Sequence, residues 1–389
     1  MDNLREISYQ QLANARLNKH RSLYGQIDLT SRMIGIVGAR GVGKTTLLLQ
    51  LMKQKIPQGS RALYVSADNL YFQENRLFES IAHLYRYDNI DHFFIDEIHR
   101  YPHWKEELHA VYESLPTVKV VFSGNGVFSD SGVVQYTLAG LSFREYLNLN
   151  HDVDRPVIAF ADLIEHPEEC ASSISSIPKL LGYFQDYLAS GYYAYYHDNT
   201  QGYYETLHHN LDKAIYQDVP SLYPLKTQNL VNFKRILLAI ATSFLGEVNV
   251  NNLAKQLRID NKTAQSYLEI LTEIGLIRNL PVSNDGQLPA KIVIDNTTLL
   301  MALNHYVGKE LSLDTVRELF FIQSVANAKI PLFCSVIGNY RIAKQYFEIG
   351  GKSKESSQLH GNDNAFLVKD GVLHPSYNAL PLYLFGFLY

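Results

Sequence analysis

Eight consecutive residues, Gly38-Ala39-Arg40-Gly41-Val42-Gly43-Lys44-Thr45, satisfy the spacing of a phosphate-binding loop position by position. Glycines at these places let backbone N–H groups close around a β-phosphate, and a helix starting at the loop adds donors and a favourable dipole. Lys44 then reaches the β- and γ-phosphates, the Thr45 hydroxyl ligates Mg²⁺, and Thr46 completes the stretch facing the nucleotide. An acidic pair, Asp96-Glu97, follows the apolar run His92-Phe93-Phe94-Ile95. A carboxylate at the C-terminal edge of a buried strand holds Mg²⁺ through water, which assigns Asp96. Glu97, one residue on, is the candidate to orient and deprotonate an attacking water. These are the Walker A and Walker B patterns. The chemistry they imply is ATP binding with Mg²⁺ and hydrolysis, with Lys44 and Glu97 as catalytic candidates.

Such side chains need a scaffold that brings a loop and a strand end together. Residues 33–37 are an apolar run leading into Gly38, and a helical pattern over 45–53 follows, stopped by Pro57 and Gly59. Residues 62–65, 92–95 and 119–122 are further apolar runs, and Trp104, Leu108, Val111 and Leu115 recur at helical spacing between the last two. Continuous apolar strands separated by helices predict an α/β domain with a parallel sheet covered on both faces. From about 151 to 225 the pattern becomes helical and rich in tyrosine. Half-buried packing with hydroxyls reaching water is expected there, in preference to base stacking. Residues 226–285 read as a winged helix-turn-helix, with helices over 233–244, 250–257 and 263–274, a cap at Gly275 and a wing strand from 276. The expected domains are therefore 1–150, 151–225, 226–285 and a small α/β module over 286–389.

Residues 38–46, Phe94-Ile95-Asp96-Glu97-Ile98-His99 and Trp104 resemble the prokaryotic AAA+-type P-loop ATPases that carry a C-terminal domain of unknown function. The block Leu141-Ser142-Phe143-Arg144-Glu145-Tyr146-Leu147 is similar to a hallmark of that family, as are the segments 291–296, 317–321, 348–352 and 384–389. The resemblance covers nearly the whole chain. It implies an ATPase core, a helical lid, a winged helix and a C-terminal module that is restriction-endonuclease-like in relatives, with nucleotide state repositioning the later domains. It also implies a polar sensor near the γ-phosphate in the stretch 120–125, for which Asn125 is the choice and Ser123 the alternative. Relatives tend to carry arginines where this chain has Asp130-Ser131-Gly132-Val133, and a proline where it has Ala194. If either feature senses the γ-phosphate, turnover is slow, and the alternative expectation is a nucleotide switch that scarcely hydrolyses and regulates by binding DNA or protein. Arg144 is a substitute arginine or a member of a surface salt bridge.

Across 389 residues the 35 basic and 39 acidic side chains leave a formal charge of −4, which excludes a globally basic nucleic-acid sleeve. A local patch survives that count. Residues 226–282 hold seven basic against four acidic side chains, and Asn261, Lys262, Thr263, Gln265 and Ser266 open the third helix with types that meet phosphates or base edges. DNA contact and plain packing both stand as readings of this segment. Glu348 with Lys352, and Glu318, resemble part of a Mg²⁺-dependent nuclease motif. The preceding strand offers Gly338-Asn339-Tyr340 where relatives carry an aspartate, so nuclease chemistry is not expected. His99 and His103 have helical ligand spacing but Pro102 intervenes, and both are expected to be ordinary surface or packing histidines. Cys170 and Cys334 cannot build a disulfide framework, the N-terminus lacks a signal-peptide layout, and residues 380–389 are too short to span a bilayer. The expected setting is the cytoplasm, with ATP as ligand, an unknown protein partner and no membrane.

Overall fold

β1 (Met33–Val37), β2 (Ala62–Ser66), β3 (His92–Asp96) and β4 (Lys119–Gly124) form where the sequence concentrates β-branched and aromatic residues. The computed structural model describes residues 1–126, 132–195, 202–281, 290–355, 359 and 361–389. In it these strands join β5 (Val134–Thr137) in one parallel sheet of order β2-β3-β4-β1-β5. Ile34, Ile36, Phe94, Ile95 and Phe122 are buried, as a sheet covered on both faces requires. β5 escaped the sequence pattern because it is short, half-exposed and at an edge, so it lacks a continuous apolar run.

The sheet register sets the position of everything chemical. β4 lies between β1 and β3, pairing Val37 with Gly124 on one side and Ile95 with Phe122 on the other. The residues just past those pairs, Gly38, Asn125 and Asp96, therefore emerge in a row at the carboxyl ends of three neighbouring strands. Open α/β sheets bind ligands at that edge. The helix Lys44–Gln54 leaves the loop after β1 and buries Leu47, Leu48 and Leu51, packing against β3 and β4. Truncating one of these leucines would cost about 2–5 kcal/mol.

The chain divides into two compact units. One is Met1–Ala139 with Asn210–Leu230, and the other is Gly140–His209 with Val231–Tyr389. The segment 151–225, expected as one lid, is thus shared between them. The chain leaves the first unit at Gly140 and returns at Asn210, and the returning stretch includes a π-helical turn, Ala214–Asp218. Turns of this kind are uncommon and recur at functional sites.

In the second unit, helices Val231–Thr242, Val250–Leu257 and Asn261–Glu273 are followed by β6 (Ile277–Leu280), antiparallel to β7 (Lys291–Ile294). Asn249 and Asp260 cap the second and third helices through their side chains. β8 (Phe333–Cys334), β9 (Tyr340–Ile342), β10 (Gln345–Gly350), β11 (Ala365–Lys369) and β12 (Ala379–Pro381) make a mixed sheet of order β12-β11-β10-β9-β8. The tyrosine-rich stretch packs internally, but its hydroxyls do not all reach water. Tyr187 donates to the Leu141 carbonyl at 2.6 Å and Tyr203 to that of Ser190 at 2.7 Å, because a wholly buried hydroxyl needs a protein partner. Among the described residues no helix is long and apolar enough to cross a membrane.

Candidate nucleotide site

The phosphate loop closes tightly over the sheet edge. A Cβ on Gly38 would lie 2.2 Å from the Leu138 carbonyl oxygen, so this position excludes any side chain. Gly43 has φ 102°, the left-handed region that starts the helix from Lys44. Lys44 is buried, and its ammonium donates to the carbonyls of Gly38 (2.8 Å) and Ala39 (2.9 Å) and to Asn125 Oδ1 (2.8 Å). Burial pushes the Lys44 pKa down, opposed by the nearby carboxylates of Glu97 and Asp96.

The Thr45 hydroxyl donates to Asp96 Oδ2 at 2.6 Å, although 51 residues separate the two. Tyr64 OH donates to the same oxygen at 2.9 Å, and Ser123 Oγ bonds the other, Oδ1. A hydroxyl and a carboxylate side by side are hard oxygen donors, the set that suits Mg²⁺. Glu97 has φ 52°, unusual for a residue with a side chain. Its backbone N–H is held by Asp96 Oδ1 at 3.1 Å and Ser123 Oγ at 3.3 Å, which secures that conformation.

The sequence patterns leave Asp218 unmarked and give His99 only a surface or packing role. Asp218 is wholly buried, accepting from Arg40 Nε and Nη2 at 2.8 Å each and from the Asn125 amide at 2.6 Å. His99 is buried too, and is neither a surface nor a merely packing residue. Its Nδ1 accepts from the Asn125 N–H at 3.3 Å, which leaves the Nε2 proton facing Asp218 at 3.4 Å and Glu97 at 3.5 Å. Arg40 Nη2 lies 3.3 Å from Glu97 Oε2. Ligand atoms of Glu97, His99 and Asp218 come within 4.8 Å of one another. The Arg40 guanidinium already neutralises those carboxylates, so a cation there would meet a like charge. For His99 a signal existed, since it follows Asp96 by three residues. Asp218 left none.

Asn125 thus sits inside the network, whereas Ser123 faces Asp96. Other candidates fall elsewhere. Arg144 is buried in the second unit and donates to the carbonyls of Tyr389 and Arg155. Asp130 and Ser131 lie outside the described residues. Glu348 pairs with Lys354 at 3.1 Å, while Glu318 accepts from Tyr340 OH at 2.8 Å. Lys255, Arg258 and Lys262 are exposed on the helices and turn of the expected DNA-binding segment.

Comparison with known proteins adds a family to this geometry. Residues 30–147 match an AAA domain, and residues 182–304 match a domain of unknown function (DUF8612). No curated protein matches the chain. Solved structures similar to it include the replication initiator DnaA bound to AMPPCP and single-stranded DNA (14% identity, 69% of this chain and 86% of that one, TM-score 0.24). AMPPCP-bound DnaA from Aquifex aeolicus (14%, 69% and 86%, 0.26) and PCH-2 from C. elegans (14%, 69% and 69%, 0.23) are also similar. Scores this low carry no argument, and the assignment rests on the matched domain and on the sheet and loop themselves. The matched stretch 30–147, with its parallel sheet and glycine loop, is an AAA+ P-loop ATPase-like domain, and residues 182–304 match a domain of unknown function.

Proposed function

We propose that the chain binds ATP with Mg²⁺ on residues 38–46, hydrolyses it, and uses nucleotide state to reposition the regions that follow. The observation carrying this reading is the row of contacts at the strand ends, Lys44 to Asn125 and Thr45 to Asp96, with Glu97 next in the chain. Lys44 exchanges its bonds to the loop carbonyls for β- and γ-phosphate oxygens, a charge-assisted contact in desolvated surroundings. Thr45 and Asp96 would hold Mg²⁺, which would neutralise phosphate charge. Glu97 accepts a proton from a water as the water oxygen bonds to the γ-phosphorus. The bond to the β–γ bridging oxygen breaks and ADP leaves. Asn125 keeps Lys44 oriented and responds to the γ-phosphate.

The ion pair between Arg40 and Glu97 supports a second reading, a switch that binds ATP, scarcely hydrolyses it and regulates through DNA or protein. The exposed Lys255, Arg258 and Lys262 support duplex DNA as a partner of residues 226–285. Titration with labelled ATP and a phosphate-release assay, each with and without Mg²⁺ and duplex DNA, decide the matter. Mg²⁺-dependent release supports hydrolysis, tight binding without release supports the switch, and no binding overturns both.

A further inference from the structure

Arg40 is the one charged residue inside the glycine loop besides Lys44, and its guanidinium is committed along one edge. Nε and Nη2 form a fork on the two Asp218 oxygens, and Nη2 also lies 3.3 Å from Glu97 Oε2. Among the described residues Nη1 has no hydrogen-bond partner. A guanidinium beside the carboxylate that activates water is also beside the phosphorus that water attacks. Asp218 has no freedom of its own. It is buried, it comes from the returning π-helical turn, and it also takes the Asn125 amide.

We propose that Arg40 is a catalytic arginine supplied in cis, donating from Nη1 to γ-phosphate oxygens, and that Asp218 is the positioning residue that fixes its plane. The inference rests on the ATP-hydrolysis reading above. A bidentate carboxylate holds a planar fork in one orientation, which a lysine ammonium cannot reproduce. Donors fixed before reaction stabilise developing charge without reorganising, and this is where such an arginine acts. The Arg40–Glu97 contact gives way when the γ-phosphate enters, freeing Glu97 for water.

The test is steady-state hydrolysis and nucleotide affinity on the full chain, for wild type, Arg40→Ala, Arg40→Lys, Asp218→Asn and the Arg40→Ala/Asp218→Asn double variant. Arg40→Ala should lower kcat by about 10²-fold or more while ADP affinity stays within about threefold. Arg40→Lys should not restore the rate. Asp218→Asn should lower kcat by about tenfold with KM little changed, and should cost clearly less in the Arg40→Ala background than alone, the remainder being its hold on Asn125. Wild-type turnover in Arg40→Ala, equal loss of ADP affinity, or an additive double variant overturns the proposal. If the wild type binds ATP but releases no phosphate, the hydrolysis reading is what fails. The arginine is then read from preference for ATP over ADP, which Arg40→Ala should level. A preference unaffected by the substitution, or absent from the wild type, overturns the proposal.

Discussion

The Asp218 carboxylate accepts the Asn125 amide at 2.6 Å, joining residues 93 positions apart. Asn125 in turn accepts from Lys44 at 2.8 Å, so one neutral amide lies between the loop's cation and a buried anion. Such a relay fixes orientation at both ends without transferring charge. The phosphate-loop lysine is therefore held by a segment that leaves the unit and comes back, as well as by its own loop.

Removal of the ammonium tests the loop. Lys44→Ala should weaken ATP binding by several kcal/mol, because it deletes a charge-assisted contact to a desolvated phosphate. Calorimetric titration of the folded variant measures this, and near-wild-type affinity would refute the loop assignment.

Backbone closeness gives a second test. A methyl at Gly38 must displace the Leu138 carbonyl, 2.2 Å from where the new carbon would sit. Gly38→Ala should cost about 1–3 kcal/mol of stability and most of the nucleotide affinity. Thermal melts with and without ATP report both, and an undisturbed variant would mean the loop sits further from Leu138.

Acid should reveal the Arg40–Asp218 pair. Burial alone would raise the Asp218 pKa, yet hydrogen bonds from Arg40 and His99 prevail and hold it at about 2, below its ordinary 3.8. A carboxylate depressed on folding adds stability above its unfolded value and loses it as pH falls from about 4 towards 2. The shift is worth on the order of 2 kcal/mol. The stability gap between wild type and Asp218→Asn should be constant above about pH 4 and narrow below it. Denaturant midpoints across that range check this, and a gap independent of pH would contradict the pairing.

The legible part of the site was its local part. The loop and the Asp96-Glu97 step are contiguous residues whose types state their chemistry, and long apolar runs announced four of the five sheet strands. Arg40 read only as a loop position because its partner, Asp218, is 178 residues away with no motif around it. Pro102 spoils the helical spacing of His99 and His103, whereas the neighbours of His99 come from the residue just past β4 and from the returning turn. The Tyr187 and Tyr203 hydroxyls meet carbonyls rather than water because burial, which spacing cannot report, decides where a polar tip goes.

Charge reversal tests DNA as a partner. If Lys255, Arg258 and Lys262 meet phosphates, wild-type binding should be weak and fall steeply with salt. Replacing all three with glutamate should then abolish it and leave ATP affinity unchanged. Gel shifts at low and moderate salt decide, and a wild type that shifts no DNA at low salt removes DNA as the partner.

Hydrolysis of ATP with Glu97 as base is tested by phosphate release from Glu97→Gln, measured beside its ATP affinity. The substitution keeps size and polarity but removes the proton acceptor. Binding should stay at the wild-type level with release lowered by about 10²-fold or more. Release at the wild-type rate from a variant that binds ATP normally would contradict Glu97 as base.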